Sequence, residues 1–227
     1  MGLKIANIVP FETFVNLEFC KKSKCFIDTS IFLYKFLYGY KENWISGFFK
    51  MIADFKQYEI TPVFIFDSKP PKEKLEVLQE RKKKQTENTI KVTPEIIAEL
   101  KEFLDSETIE YRMSPDYCDA EKYCCKLHLE EEDSYVMSND YDTLLYGAKK
   151  TIRKIGNNYN LVILENLLTN NNLNFEQFTE LCIGIGTDFN PKGIPGYGPK
   201  KCLKCLHSGE QLPMDIEEMN RIKDLFK

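Results

Sequence analysis

Histidine is nearly missing from this chain of 227 residues: His128 and His207 are the two it has. That excludes a histidine-rich zinc centre and leaves few imidazole bases, so an enzyme built on this sequence has to work through carboxylates. Long apolar runs are missing as well. The longest, about Ile31 to Tyr40, is interrupted by Lys35, and a membrane span is excluded. No Asn-x-Ser/Thr sequon and no basic, apolar, small-residue leader occurs. The eight cysteines therefore read as reduced thiols of an intracellular protein, in nucleus, cytoplasm or a viral replication site, and not as a secreted disulfide framework. A positive excess is absent too: 31 Lys+Arg against 35 Asp+Glu give a net charge of -4, which taken alone argues against a nucleic-acid binder.

What is present is a repeated local grammar. Lys24-Cys25-Phe26-Ile27-Asp28 is a short apolar run ending in an acid, followed by Thr29 and Ser30 as N-cap candidates for a periodic segment to Tyr40. Thr61 to Phe66 repeats it with Asp67, and Pro70-Pro71 opens a lysine-rich helix to about Gln85. A third strand, Ser134 to Ser138, leads to Asp140-Tyr141-Asp142. Between the second and third come a helix from Pro94 to about Leu104, a strand near Ile109 to Met113 and a helix from about Asp119 to Glu130. Thr151 to Ile155 and Asn160 to Leu164 read as a hairpin through Gly156-Asn157-Asn158. Strands alternating with helices, each delivering acid at its C-terminal end, predict an α/β fold: a mainly parallel sheet flanked by helices, with the ligand site along that edge. Residues 1–174 form this core, and 175–227 a helical part packed on the same domain.

The acids carry the chemistry. Water attacks a phosphodiester when two divalent cations about 4 Å apart neutralise the phosphate and the departing oxygen. Hard Mg²⁺, with Mn²⁺ as a substitute, calls for oxygen ligands, and Asp28, Asp67, Asp119, Glu121, Asp140, Asp142 and Asp188 are the candidates. Asp140 and Asp142 share one side if the chain is extended. Asp119 and Glu121 diverge by about 200° inside a helix and converge only if Asp119 sits at the helix entrance. Singly, each strand-end acid also fits a helix cap or a solvated turn. Asp140-Tyr141-Asp142 alone matches the DxD of metal-dependent sugar transferases, a reading that leaves Asp28, Asp67 and Asp188 without a role.

Taken together and in order, these blocks resemble the flap endonuclease and xeroderma pigmentosum group G family of structure-specific 5′ nucleases. Phe26-Ile27-Asp28-Thr29-Ser30 with Tyr34 resembles the first family block, and Pro62 to Pro71 the second, with Ser68 where glycine is usual. Asp119-Ala120-Glu121, Ser138 to Gly147, and Gly186-Thr187-Asp188-Phe189 with Gly193 to Lys200 resemble the rest. The resemblance implies a PIN-like nuclease fold in which the seven acids hold two metal ions. It places Lys74 and Arg81 on the scissile phosphate, Tyr34 on a base near the cut, and Gly2 near the DNA. The other reading of Lys74 and Arg81 is a solvated lysine-rich helix, and of Tyr34 a core position. The Gly193-x-x-Gly196-x-Gly198-Pro199-Lys200 spacing fits a helix-hairpin-helix turn whose backbone meets duplex phosphate, with Lys200, Lys201 and Lys204 adding contacts that carry no sequence preference. The family holds a K⁺ at that turn.

Cys202-x-x-Cys205 near His207 has zinc-like spacing, but helical periodicity favours a buried, reduced core, and the same reading covers Cys118, Cys124, Cys125 and Cys182. Three departures from the family stand out. Few residues separate Arg81 from Lys91, so the helical arch is short and threading of a 5′ end is in question; Gln211 to Lys227 carries no sliding-clamp-binding peptide; and one extra residue before Asp119 makes Asp116 its alternate. The expectation is a Mg²⁺-dependent nuclease acting on branched, flapped or gapped DNA, with no membrane partner. A catalytically inactive junction-binding scaffold is the alternative.

Overall fold

From Cys25 to Asp28 every residue of the first long strand is buried, a pattern that requires a sheet covered on both faces. Side chains of such a strand alternate between two cores, and they do so here: Phe26, Val63, Ile65 and Val136 join one apolar cluster, while Ile27, Phe64, Phe66 and Met137 join the other. The computed structural model describes residues 5, 8, 9, 12–14, 17–75, 79, 80, 83 and 89–227.

In chain order the elements are β1 (Glu12–Phe14), β2 (Lys24–Asp28), α1 (Thr29–Tyr40), α2 (Ile45–Gln57), β3 (Thr61–Phe66), α3 (Pro94–Ser106), β4 (Glu110–Met113), α4 (Ala120–Glu130), β5 (Ser134–Met137), α5 (Asp142–Leu145), β6 (Lys150–Ile155), β7 (Asn158–Ile163), α6 (Leu164–Asn170), α7 (Phe175–Ile185), α8 (Pro199–His207) and α9 (Ile216–Leu225). The strands form one sheet in the order β1-β7-β6-β5-β2-β3-β4. β6, β5, β2, β3 and β4 run parallel, and β7 is antiparallel to both β6 and β1. From β2 the chain winds through β3 to β4, then returns to β5 on the other side of β2. That reversal is a topological switch point, where α/β sheets bind their ligands.

One face is covered by α1, α2 and α3 through Phe32, Phe36, Phe48, Phe55 and Leu104. Gly47 lets α1 and α2 approach closely, since a Cβ there would lie 2.4 Å from the Phe36 ring. The opposite face is covered by α4, α5 and the C-terminal helices through Cys124, Leu144, Phe178, Leu181, Cys202 and Ile222. All eight cysteines are free thiols, and burial raises the thiol pKa of Cys124, Cys125, Cys182 and Cys202. Cys118 departs from the core expectation: it is half-buried and faces a cleft.

Other local expectations change as well. Helix α1 begins at Thr29, so Asp28, and neither Thr29 nor Ser30, holds the N-cap position. The segment after Pro71 starts as a 3₁₀ turn, Lys72–Lys74. Asp140 to Asp142 is not extended: a bend after Ser138 leads into α5, because the Asp140 N–H turns back to Ser138 Oγ at 3.1 Å. The hairpin turn is shorter than expected, with Asn158 already in β7.

Candidate active site

The parallel strands bring the acids together at one edge. Asp28 ends β2, Asp67 follows β3, and the bend after β5 carries Asp140 and Asp142. Asp119 occupies the N-cap position of α4 with extended φ -62, ψ 148, so the chain enters the helix beyond it and Glu121 in the first turn converges on the same space. Asp188 arrives from the loop after α7. Asp28, Asp67, Asp119, Glu121, Asp140 and Asp188 line one open cleft of about 730 Å³, together with Tyr34 and Lys74. Asp142 is 1% exposed and within electrostatic reach of Asp140 and Asp188.

Hydrogen bonds fix part of this set. Asp67 accepts from Ser30 Oγ at 2.5 Å and from the Ala120 N–H at 2.9 Å, which ties the end of β3 to the first turn of α4. Glu121 Oε1 accepts from Ser138 Oγ at 3.2 Å, and Asp140 Oδ1 accepts from the Asp142 N–H at 3.3 Å. Asp142 Oδ1 is buried with no partner. The sequence marked Ser30 as an N-cap candidate and Ser138 as the end of a strand, but not as partners of carboxylates; each is defined in that role by a partner 37 or 17 residues away, which no local pattern reveals.

The charges are strained against one another. Burial first, and then the neighbouring Asp67 and Asp140, push the Asp28 carboxyl up to about 7. Burial, Asp140 and Asp188 push Asp142 up to about 8, and burial with Asp140 and Asp142 holds Glu121 well above the usual carboxylate range. Lys74 relieves part of this. Its Nζ lies 2.6 Å from Asp119 Oδ2 and 3.5 Å from Asp188 Oδ2. Burial would discharge that ammonium, but Asp119, Asp188 and Glu121 more than offset it and keep it protonated. Lys74 is thus an inward-facing cation of the cleft and not part of a solvated helix face.

The donor chemistry fits a hard divalent cation: carboxylates dominate the lining and no histidine joins them, and the orphaned Asp142 oxygen is the kind of buried acceptor that an ion satisfies. Among the described residues no three acidic, histidine or cysteine side chains already stand in a geometry that would hold an ion. Tyr34 is 44% exposed and lines the cleft, so its ring is available to a ligand. Asp116 is not in the cleft; it pairs with Lys69 at 2.7 Å and Ser68 at 2.6 Å on the exposed rim. Arg81 and Gly2 lie outside the described residues.

The glycine-rich segment adjoins the same site through Asp188. Gly193 has φ +57, and a Cβ there would lie 2.5 Å from the Ile185 carbonyl oxygen, so only glycine lets this loop fold back on the end of α7. Gly196, at φ +77, faces open space, and Gly198 precedes Pro199 at the N-terminus of α8. Lys200 and Lys201 are exposed there; Lys201 lies over the Tyr197 ring at 3.9 Å and reaches the Gly196 carbonyl oxygen at 3.4 Å.

Residues 4–88 match the family model of the XPG N-terminal domain, and residues 108–188 match that of the XPG I-region. A flap endonuclease 1 of Methanococcus aeolicus is 28% identical over 100% of this chain and 81% of its own length. The structure of a flap endonuclease-1 from Methanococcus jannaschii superposes with a TM-score of 0.80 at 25% identity, covering 100% of this chain and 84% of that one. The catalytic core of Rad2 in complex with a DNA substrate gives a TM-score of 0.76 at 26% identity, over 92% of this chain and 68% of that one.

Proposed function

Because the chain belongs to the flap endonuclease and XPG family, we propose that it is a divalent-metal-dependent, structure-specific 5′ nuclease that hydrolyses phosphodiester bonds in branched, flapped or gapped DNA. The observation that carries this reading is the acid cluster itself: six carboxylates lining one cleft at the switch point of a parallel sheet, with Asp142 and its orphaned oxygen buried beside them. Asp28, Asp67, Asp119, Glu121, Asp140, Asp142 and Asp188 would hold two Mg²⁺ ions, or Mn²⁺ in their place. Bound there, the ions supply an activated water and neutralise charge on the phosphate.

The chain's own residues account for the remaining tasks. Lys74, now held by Asp119 and Asp188, is positioned to reach a phosphate that enters the cleft, and Arg81 is proposed to act beside it. Tyr34 offers an exposed ring on which a base next to the cut can stack, worth about 1 to 3 kcal/mol. The loop of Gly193, Gly196 and Gly198, with Lys200 and Lys201, forms a helix-hairpin-helix platform for duplex backbone, with K⁺ as its structural ion; Gly2, outside the described residues, is proposed as a further DNA contact. No helix among the described residues is long and apolar enough to cross a membrane.

The test is a panel of 5′-labelled flap, gapped duplex, four-way junction and single strand, each incubated with Mg²⁺ or with chelator. Cleavage at the branch point that appears with Mg²⁺ and vanishes with chelator is the expected result. Tight junction binding without products in any metal would replace the nuclease with a junction-binding scaffold.

A further inference from the structure

The bend that carries Asp140 and Asp142 has to hold two carboxylates in a cluster that repels them, and the last residues of β6 grip it from the side. The guanidinium of Arg153 donates to the Asn139 carbonyl oxygen twice, through Nε at 3.2 Å and Nη2 at 2.7 Å. Its Nη1 donates to the Tyr141 hydroxyl, and the plane lies 4.0 Å from the Tyr141 ring centroid. Asn139 answers in the opposite direction. Its side-chain Oδ1 accepts from the Lys154 N–H at 2.9 Å, and its Nδ2 donates to the Lys154 carbonyl oxygen at 3.1 Å, so the amide continues the β-ladder where the backbone of β5 has ended. Lys35 Nζ, from α1, donates to that same carbonyl.

Asn139 immediately precedes Asp140, and Tyr141 separates Asp140 from Asp142, so the residues that Arg153 and Lys154 hold are the chain neighbours of both carboxylates. Arg153 is half-buried, and its charge also lies within reach of Asp140. A planar fork suits this work because it meets a carbonyl and a hydroxyl at once while stacking on a ring, which a lysine ammonium does not do.

We propose that Arg153, acting through Asn139 and Tyr141, is a positioning residue that sets Asp140 and Asp142 for divalent-metal binding, and that it is neither a surface charge nor a direct phosphate contact. This rests on the metal-site reading above. Residues that hold metal ligands in place from behind typically change metal affinity or activity by about 10 to 100-fold when replaced.

The experiment is a Mn²⁺ titration followed by electron paramagnetic resonance of the free ion, on wild type, Arg153→Ala, Arg153→Lys, Tyr141→Phe and Asp142→Ala. It is paired with the thermal midpoint in chelator and the kcat and KM for cleavage at saturating Mg²⁺. Arg153→Ala is expected to weaken Mn²⁺ binding about tenfold or more and to lower kcat, with KM for DNA within about twofold. Arg153→Lys keeps the charge, loses the fork, and should recover only part of the affinity. Tyr141→Phe should show the smallest loss. Should Arg153→Ala not fold, Arg153→Lys with a thermal midpoint near wild type carries the same comparison. Wild-type Mn²⁺ affinity in both Arg153 variants overturns the inference. So does a selective rise in KM with a salt dependence of DNA binding about one unit shallower, which would make Arg153 a phosphate contact. If wild type binds no more Mn²⁺ than Asp142→Ala, the metal-site reading itself fails and this inference with it.

Discussion

At the start of β2, Lys24 Nζ donates to Glu131 at 2.8 Å; four residues later, at the end of the same strand, Asp28 faces Asp67 and Asp140. The neighbouring strand repeats the contrast. β5 opens on Ser134, which is fully buried and donates to the Glu131 carbonyl oxygen at 2.6 Å. His128 completes that end: Nε2 accepts the Lys149 N–H at 3.1 Å, so the proton sits on Nδ1, which donates to Ser134 Oγ at 2.8 Å. Beyond the C-terminal end of β5 stands Asp142, with an oxygen that has no partner. The same strands are thus satisfied at one end and electrostatically frustrated at the other. Frustration that a fold does not need for its own stability marks the place where a ligand is expected to complete it.

The sharpest way to break that comparison is Asp142→Asn, which keeps the side-chain shape and removes a carboxyl whose ionised form is disfavoured by burial, Asp140 and Asp188. On the metal-site reading proposed above, cleavage should fall on the order of 10³-fold, because the site would lose one of its ligating carboxylates. The thermal midpoint in chelator should nonetheless rise by a few degrees, roughly what relief of one buried like-charge contact gives. A lower midpoint would mean that the acid end is not frustrated at all.

The satisfied end makes the opposite prediction with pH. Burial and the nearby Lys150 and Lys149 lower the His128 pKa to about 4, against about 6.5 in an unfolded chain. A depressed histidine pKa means that the fold favours the neutral ring. Its contribution is complete above pH 6.5 and is lost as pH falls towards 4, amounting to about 3 kcal/mol for a residue that is only 4% exposed. Urea unfolding at pH 7.5 and pH 4.5, compared between wild type and His128→Leu, checks it; a variant with the same acid dependence as wild type would show that His128 plays no part. Ser134→Ala should cost somewhat less, about 1 to 2 kcal/mol at neutral pH, by leaving a buried Nδ1–H without its acceptor, measured as a shift in the urea midpoint.

Much of the acid end was legible in the sequence because its signals are local. A short apolar run closed by an acid is a strand delivering a carboxylate, and three such runs place Asp28, Asp67 and Asp140 on one edge without any knowledge of pairing. Asp119 and Glu121 were legible only through a condition, that Asp119 stand at the helix entrance, and α4 does begin at Ala120. Features defined by long-range partners were not legible. The extended reading of Asp140 to Asp142 failed because the Ser138 hydroxyl bends the chain. Helices α5 and α6 are too short for helical periodicity to show, and β1 pairs with β7, about 145 residues away in sequence. The ion pairs of Lys74 with Asp119 and Asp188 depend on three separate segments and have no sequence signature.

The smallest effect belongs to the ion pair at the start of β2. Lys24 and Glu131 meet at 2.8 Å, but their side chains are 29% and 40% exposed, so water screens the attraction, and ordering two flexible side chains costs entropy. Lys24→Ala should therefore lower stability by less than about 1 kcal/mol, and Glu131→Ala by a similar amount. The double variant should show little coupling between them, and cleavage should be unchanged because both residues lie at the end of the strands away from the cleft. A coupling well above 1 kcal/mol would mean that the N-terminal end is held by buried electrostatics, as the acid end is, and the contrast between the two ends would then rest on sign of charge rather than on satisfaction of partners.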